Sequence, residues 1–169
     1  MRLYAESSAV LSWLLDHPSA DSIRTLLQRA DLVVTSDLTL VECDRELHRA
    51  QLATEISEAD AADRRAYLNE AASSWHILRV HPDGVERARL GFPLEPLDTL
   101  PALHLASALV ARRAVPGLAV LTLDADVRRN AQQLGFRVVP DPKTSITDVS
   151  ESAGVRPPAG NTTGGGGTA

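Results

Sequence analysis

Apolar residues in this chain follow two rhythms. Short runs at Leu3-Tyr4-Ala5, Leu32-Val33-Val34-Thr35, Ile77-Leu78-Arg79-Val80, Leu118-Ala119-Val120-Leu121-Thr122-Leu123 and Phe136-Arg137-Val138-Val139 have the length and branched content of strands. The fourth run is apolar almost throughout, as expected of a parallel strand covered on both faces. Between the runs, helical spacing predicts helices over about 7–15, 20–30, 37–51, 57–74, 84–89, 101–113 and 126–134. In the third of these, Leu40, Cys43, Leu47 and Ala50 recur at i, i+3, i+7 and i+10 and predict a buried stripe. Gly135 stands where a helix C-cap belongs, directly before the last strand. Strand and helix alternating in this way predict an α/β fold, a three-layer α/β/α sandwich with a parallel sheet of about five strands.

The alternation stops near Pro140. From Glu151 the chain reads ESAGVRPPAGNTTGGGGTA, with six of the ten glycines and scarcely an apolar residue, a composition unable to bury enough surface to order itself. One folded domain over 1–140 and a disordered tail over 141–169 are therefore expected, with no internal repeat. Of the 169 residues, 44% are hydrophobic and 23% charged, which excludes global disorder. No run approaches the ~18 apolar residues of a membrane span, and Glu6 interrupts any signal-peptide core, so a cytoplasmic protein without membrane contact is expected. The one cysteine, Cys43, excludes an internal disulfide and a cysteine zinc cluster, and on its buried stripe it is expected to be inert.

Charge narrows the chemistry. Seventeen basic against 22 acidic residues leave a net charge of −5, which is not the balance of a generic polyanion binder. All but one of the basic residues are arginine, the exception being Lys143, so any phosphate contact falls to local arginine forks. Pairs such as Arg112-Arg113 and Arg128-Arg129 suit either that role or solvated helix ends.

Parallel sheets bind ligands beyond the carboxyl ends of their strands, where strand order reverses. Glu6-Ser7-Ser8 follows the first run, and Asp124-Ala125-Asp126 follows the fourth. Neither place carries G-x-G-x-x-G or G-x-x-x-x-G-K-S/T, which disfavours a nucleotide-binding enzyme. Carboxylates gathered at sheet ends repel one another, and a hard divalent cation such as Mg²⁺ or Mn²⁺ offsets that repulsion with oxygen ligands. Zinc is disfavoured, because His17, His48, His76, His81 and His104 show no ligand spacing. Position alone leaves plainer roles open. Glu6 could favour the dipole of the helix beginning at Ser7, Glu42 could pair with Arg45 or Arg49, and Asp124 or Asp126 could cap the following helix.

Four stretches resemble, in order, the motifs of PIN domains. Leu3-Tyr4-Ala5-Glu6-Ser7-Ser8-Ala9 is similar to the opening strand that runs into acid-x-Ser-Ala. Thr35-Ser36-Asp37-Leu38-Thr39-Leu40-Val41-Glu42 resembles the second motif, ending in a helix glutamate. Leu97-Asp98-Thr99-Leu100-Pro101-Ala102-Leu103-His104-Leu105-Ala106 resembles the third, whose usual form is L-D-A-L-H-L-A-x-A. Leu121-Thr122-Leu123-Asp124, with Asn130-Ala131 and Leu134-Gly135-Phe136, resembles the fourth. The likeness spans about Met1 to Pro140 and is closest in kind to VapC-type toxins of toxin–antitoxin pairs.

The resemblance implies a Mg²⁺- or Mn²⁺-dependent ribonuclease with a four-acid site, an RNA substrate, a co-encoded antitoxin and a homodimer. Glu6 matches the first acid, where Asp is commoner, Glu42 the second and Asp124 the fourth. Ser8 and Thr122 match hydroxyl residues lining the substrate side. The third acid is replaced by Pro101, and Asp98, three residues earlier, is the candidate stand-in ligand beside Glu6 and Asp124 at the metal. Pro101 suits a helix's first turn, with Thr99 or Leu100 expected just outside it. His104 is expected to be a satisfied core histidine, and Trp13 and Trp75 packing anchors. Val120-Leu121-Thr122-Leu123-Asp124-Ala125-Asp126 also fits the opening of haloacid-dehalogenase-like phosphatases, but only 45 residues follow Asp124 and that motif normally begins a domain. A second alternative is a PIN fold disabled at Pro101 that binds RNA or antitoxin without cleaving.

Overall fold

Every expected strand and helix forms in the computed structural model, which describes residues 1–141. The tail expected from 141 onward lies, apart from Asp141, outside the described residues. In chain order the elements are β1 (Arg2–Ala5), α1 (Ser7–Leu14), α2 (Ala20–Gln28), β2 (Leu32–Ser36), α3 (Asp37–Leu52), α4 (Glu58–Ala72), β3 (His76–Leu78), α5 (Pro82–Ala88), α6 (Thr99–Ala114), β4 (Ala119–Leu121), α7 (Ala125–Gln133) and β5 (Val138–Val139). The sheet is parallel throughout, in the order β3-β2-β1-β4-β5. No helix among the described residues is long and apolar enough to cross a membrane.

The apolar strands feed two cores, because successive side chains leave a strand on opposite faces. Leu3, Ala5, Val33, Ala119, Leu121 and Val139 pack with Ala9, Val10, Leu14, Ile23, Cys43 and Leu68 of α1 to α4. Tyr4, Val34, Val120 and Val138 pack on the other side with Ala102, Leu105, Ala106, Val127 and Ala131 of α6 and α7. Both faces are thus covered, and the three-layer sandwich is the result. Trp13 and Trp75 pack against each other with ring centroids 6.5 Å apart, as anchors beneath α1 and the start of β3.

Two expectations need correction. On α3 the buried positions are Thr39, Cys43, Leu47 and Ala50, while Leu40 is only half-buried. A polar residue takes the inward place because the Thr39 hydroxyl donates to the Ala5 carbonyl at 3.4 Å. Helix α6 begins at Thr99, so Thr99 and Leu100 lie inside it and Pro101 is its third residue. First-turn amides have no helical acceptor, so proline's missing N–H breaks no helical hydrogen bond there and its bias against a preceding helical residue is overridden.

Helix α7 is closed at both ends. Asp124 is its N-cap, with a side chain that accepts from the Val127 amide. At the other end Gly135 takes φ 79°, and the Gly135 and Phe136 amides donate back to Gln132 and Ala131, the paired bonds of a Schellman motif.

Candidate active site

Strand β1 is central, and the chain fills one side of it with β2 and β3 before crossing to β4 and β5, so the order reverses between β1 and β4. The Glu6 amide donates to the Leu121 carbonyl at 3.0 Å, continuing that ladder one residue past β1. The Ala5 carbonyl is held by the Thr35 hydroxyl at 2.7 Å. Glu6 therefore enters the crevice at the reversal point on a fixed backbone.

Glu6 is the N-cap of α1, yet its side chain makes no capping bond. Its carboxylate turns sideways instead. Oε1 accepts from the Ser7 hydroxyl at 2.7 Å, and Oε2 accepts from the Thr122 hydroxyl at 2.7 Å and from the Ser8 hydroxyl. With only 4% of the residue exposed, these three donors are what make a buried negative charge tolerable. Ser8 Oγ also accepts from the Leu123 amide at 2.9 Å and the Asp124 amide at 3.0 Å, and Thr122 Oγ1 accepts from the Asp124 amide at 3.1 Å. Two hydroxyls thus tie Glu6 to the backbone of Asp124. Asp124 spends Oδ1 on the Val127 amide at 2.7 Å and keeps Oδ2 free of capping duty.

Glu42 arrives from α3 and pairs with neither Arg45 nor Arg49. Arg49 is taken by Glu46 at 2.6 Å, which holds the Glu46 carboxyl below its ordinary value. The partner of Glu42 is His104 of α6, whose Nε2 stands 2.5 Å from Glu42 Oε2, 3.3 Å from Ser7 Oγ and 3.8 Å from Glu6 Oε1. On the other side of the ring, Nδ1 lies 3.2 Å from the Tyr4 hydroxyl. Burial pushes the Tyr4 phenol above its ordinary value, so it keeps its proton. On the opposite side Nε2 faces the Glu42 carboxylate, an acceptor, so Nε2 carries the hydrogen and donates it to Glu42.

A profile of the PIN domain family matches residues 3–133. The chain belongs to the PIN domain family. Its fold is similar to that of VapC20 from Mycobacterium tuberculosis, a Sarcin-Ricin loop cleaving toxin, at 16% identity and a TM-score of 0.56, covering 79% of this chain and 95% of that one. A toxin–antitoxin complex from Klebsiella pneumoniae matches at 18% identity and a TM-score of 0.52, covering 83% and 97%. PAE2754 from Pyrobaculum aerophilum matches at 17% identity and a TM-score of 0.50, covering 82% and 83%. No curated protein sequence matches the chain.

Of the acids that the PIN motifs single out, Glu6 and Asp124 are joined through Ser8 and Thr122, and Glu42 is joined to them through His104 and Ser7. Asp98 is not brought in. It is the exposed N-cap of α6 and its carboxylate makes no hydrogen bond or ion pair among the described residues. An N-cap carboxylate serves the amide of the second or third helical residue; the third here is Pro101, which has no N–H, and Asp98 makes no side-chain capping bond to the second, Leu100, either. Pro101 itself lies one turn before His104 on the same face of α6.

The donor set fits a hard cation. It consists of carboxylate and hydroxyl oxygens, and no arginine is ion-paired with Glu6, Glu42 or Asp124 among the described residues. No three acids, histidines or cysteines among the described residues stand close enough to grip an ion as they are placed. Mg²⁺ needs no such cage, since it keeps several waters and is held through one or two carboxylates.

Sequence reasoning took His104 for a core histidine, and it is buried and satisfied, but its partner is a site acid. Ser7 and Tyr4 were missed altogether. The one available signal was a lone polar ring inside Leu103-His104-Leu105-Ala106, which had to find a partner somewhere.

Proposed function

We propose that this chain is a divalent-metal-dependent ribonuclease of the cytoplasm, the toxin of a toxin–antitoxin pair. The observation that carries the reading is the convergence of Glu6 and Glu42 on one atom, His104 Nε2, in the crevice between β1 and β4 where Asp124 also stands. Family membership supports a nuclease. The likeness in fold to a Sarcin-Ricin loop cleaving toxin and to a toxin–antitoxin complex supports RNA as substrate and an antitoxin as partner.

A bound Mg²⁺ or Mn²⁺ supplies positive charge that polarises the phosphoryl group and acidifies a water. The chain supplies the rest. Glu6, Glu42 and Asp124 hold the cation. Ser8 and Thr122 fix the Glu6 carboxylate and line the substrate side. Asp98 is a ligand only if its side chain turns inward from the α6 N-cap. Side chains more than half exposed, among them Val41, Leu52, Tyr67 and Leu90, offer apolar surface to a homodimer or antitoxin partner.

A second reading rests on Pro101 and the outlying Asp98: a PIN module that binds RNA or antitoxin but cleaves poorly. Calorimetric titration with Mn²⁺, paired with RNA cleavage in Mn²⁺ and in EDTA, tests both. We expect binding and metal-dependent cleavage by the wild type and loss of both in Asp124→Asn. Binding without cleavage favours the second reading, and equal Mn²⁺ binding by wild type and variant removes Asp124 from the site.

A further inference from the structure

We infer that His104 is a positioning residue of this site, fixing Glu42 by one carboxylate oxygen so that the other is free to meet a cation beside Glu6. The inference rests on the metal reading and concerns a residue which that reading does not use.

The geometry is specific. Glu42 projects from a helix through three rotatable bonds, and nothing on α3 restrains its carboxylate. The restraint comes from across the crevice, through the 2.5 Å bond from His104 Nε2 to Oε2. The same Nε2 stands 3.3 Å from Ser7 Oγ, whose own hydroxyl proton goes to Glu6 Oε1. One N–H therefore sets the spacing of two carboxylates that repel each other when no cation lies between them. Tyr4 steadies the ring on its other side, with its hydroxyl 3.2 Å from Nδ1.

Packing alone does not call for this arrangement. His104 is 1% exposed on a helix whose other buried positions include Ala102, Leu105, Ala106 and Ala108, and a leucine of similar volume would fill its place without a buried polar atom to satisfy. His104 is buried with its Nε2 turned to Glu42, so it acts through that carboxylate and is not itself catalytic. Its place one turn below Pro101 adds weight. With the third acid lost, cation affinity depends on how well the remaining carboxylates are aimed, and partners that orient ligating carboxylates typically change metal affinity 10–100-fold.

The test is Mn²⁺ titration of the RNA-free full chain by calorimetry, for wild type, His104→Gln, His104→Asn and His104→Leu, with thermal melts to check folding. A glutamine amide reaches the place of Nε2, whereas an asparagine amide reaches only that of Nδ1. We expect His104→Gln to bind within about threefold of wild type, and His104→Asn and His104→Leu to bind roughly 10–100-fold more weakly. Cleavage by His104→Asn should recover at saturating Mn²⁺, a split that general loss of packing does not produce. If His104→Leu folds and binds Mn²⁺ as wild type does, the inference fails. Should His104→Leu not fold, the two amide variants decide, and equal affinities in them overturn it. A wild type that binds no Mn²⁺ overturns the metal reading and this inference together, whereas binding that is indifferent to His104 overturns this inference alone.

Discussion

Exchanging Pro101 for aspartate separates what the residue does for α6 from what it withholds from the site. In the wild type Asp98 makes no side-chain capping bond, and Pro101, the third helical residue, offers it no amide proton. Either Pro101→Ala or Pro101→Asp restores that proton, and an N-cap bond contributes about 1 kcal/mol. An acid in the first turn adds ~0.3–1 kcal/mol through the helix dipole. Losing proline loosens the unfolded chain, at a cost of ~0.4–1 kcal/mol. Pro101→Ala should therefore be close to neutral. Pro101→Asp also places a carboxylate one turn above His104, on the face that meets Glu6 and Glu42. Like charges about 7 Å apart at an effective dielectric of about 20 repel by ~2 kcal/mol per pair. Without metal, Pro101→Asp should thus be the less stable of the two, by roughly 3 kcal/mol once the dipole gain is set against the two repulsions, or ~6–12 °C in melting temperature. With metal the sign reverses, since each carboxylate attracts a dication about twice as strongly as it repels its neighbour. We expect Mn²⁺ affinity and subsaturating RNA cleavage to rise about tenfold, equivalent to ~1.4 kcal/mol. Thermal melts in EDTA and in Mn²⁺, with cleavage of a labelled RNA, make the measurement. If Pro101→Ala matches Pro101→Asp in affinity and cleavage, helix capping accounts for the change and the missing acid does not. Silence from Pro101→Asp and Asp98→Asn alike means that Glu6, Glu42 and Asp124 suffice.

Three other expectations come from the packing. Asn130 is buried and pairs with both backbone groups of Leu94, at 2.9 and 3.0 Å. Asn130→Ala strands those groups and should cost ~1–3 kcal/mol in urea unfolding; an unchanged midpoint shows that water replaces the side chain. Burial pushes the Cys43 thiol upward, so it should resist thiol reagents at pH 8 until the chain unfolds. The unfolded thiol ionises near ~8.5 while the folded one does not. Unfolding then releases a proton, and wild-type stability should fall relative to Cys43→Ala as pH rises past that value; parallel pH profiles would contradict this. Sedimentation at micromolar concentration should show a two-chain species, and a single-chain species alone would refute the dimer.

How far the chain could be read without its structure depends on the range of each interaction. Strand and helix alternation is local, written in side-chain period and turn chemistry, which is why the parallel three-layer sandwich and the Gly135 helix end were legible. The acids after β1 and β4 were legible for a related reason: parallel topology carries residues that follow strands to one edge of the sheet. Boundaries were less secure where two local rules compete, as at Pro101, whose bias on the preceding residue lost to its harmlessness in a first turn.

The sequence by itself determined the layers, the sheet, and the acidic residues Glu6, Glu42 and Asp124 as a set worth testing. Only the tertiary structure decided how that set is connected. Glu42 and His104 are 62 positions apart, Tyr4 and His104 100, and Ser8 and Asp124 116. No periodicity reports such pairs, because each bond joins groups that folding alone brings within 3.5 Å. The same holds for what is absent from the network. Asp98 looked as eligible as Glu42 along the chain, and it was the direction of a helix N-cap, with a proline three residues on, that left it in solvent.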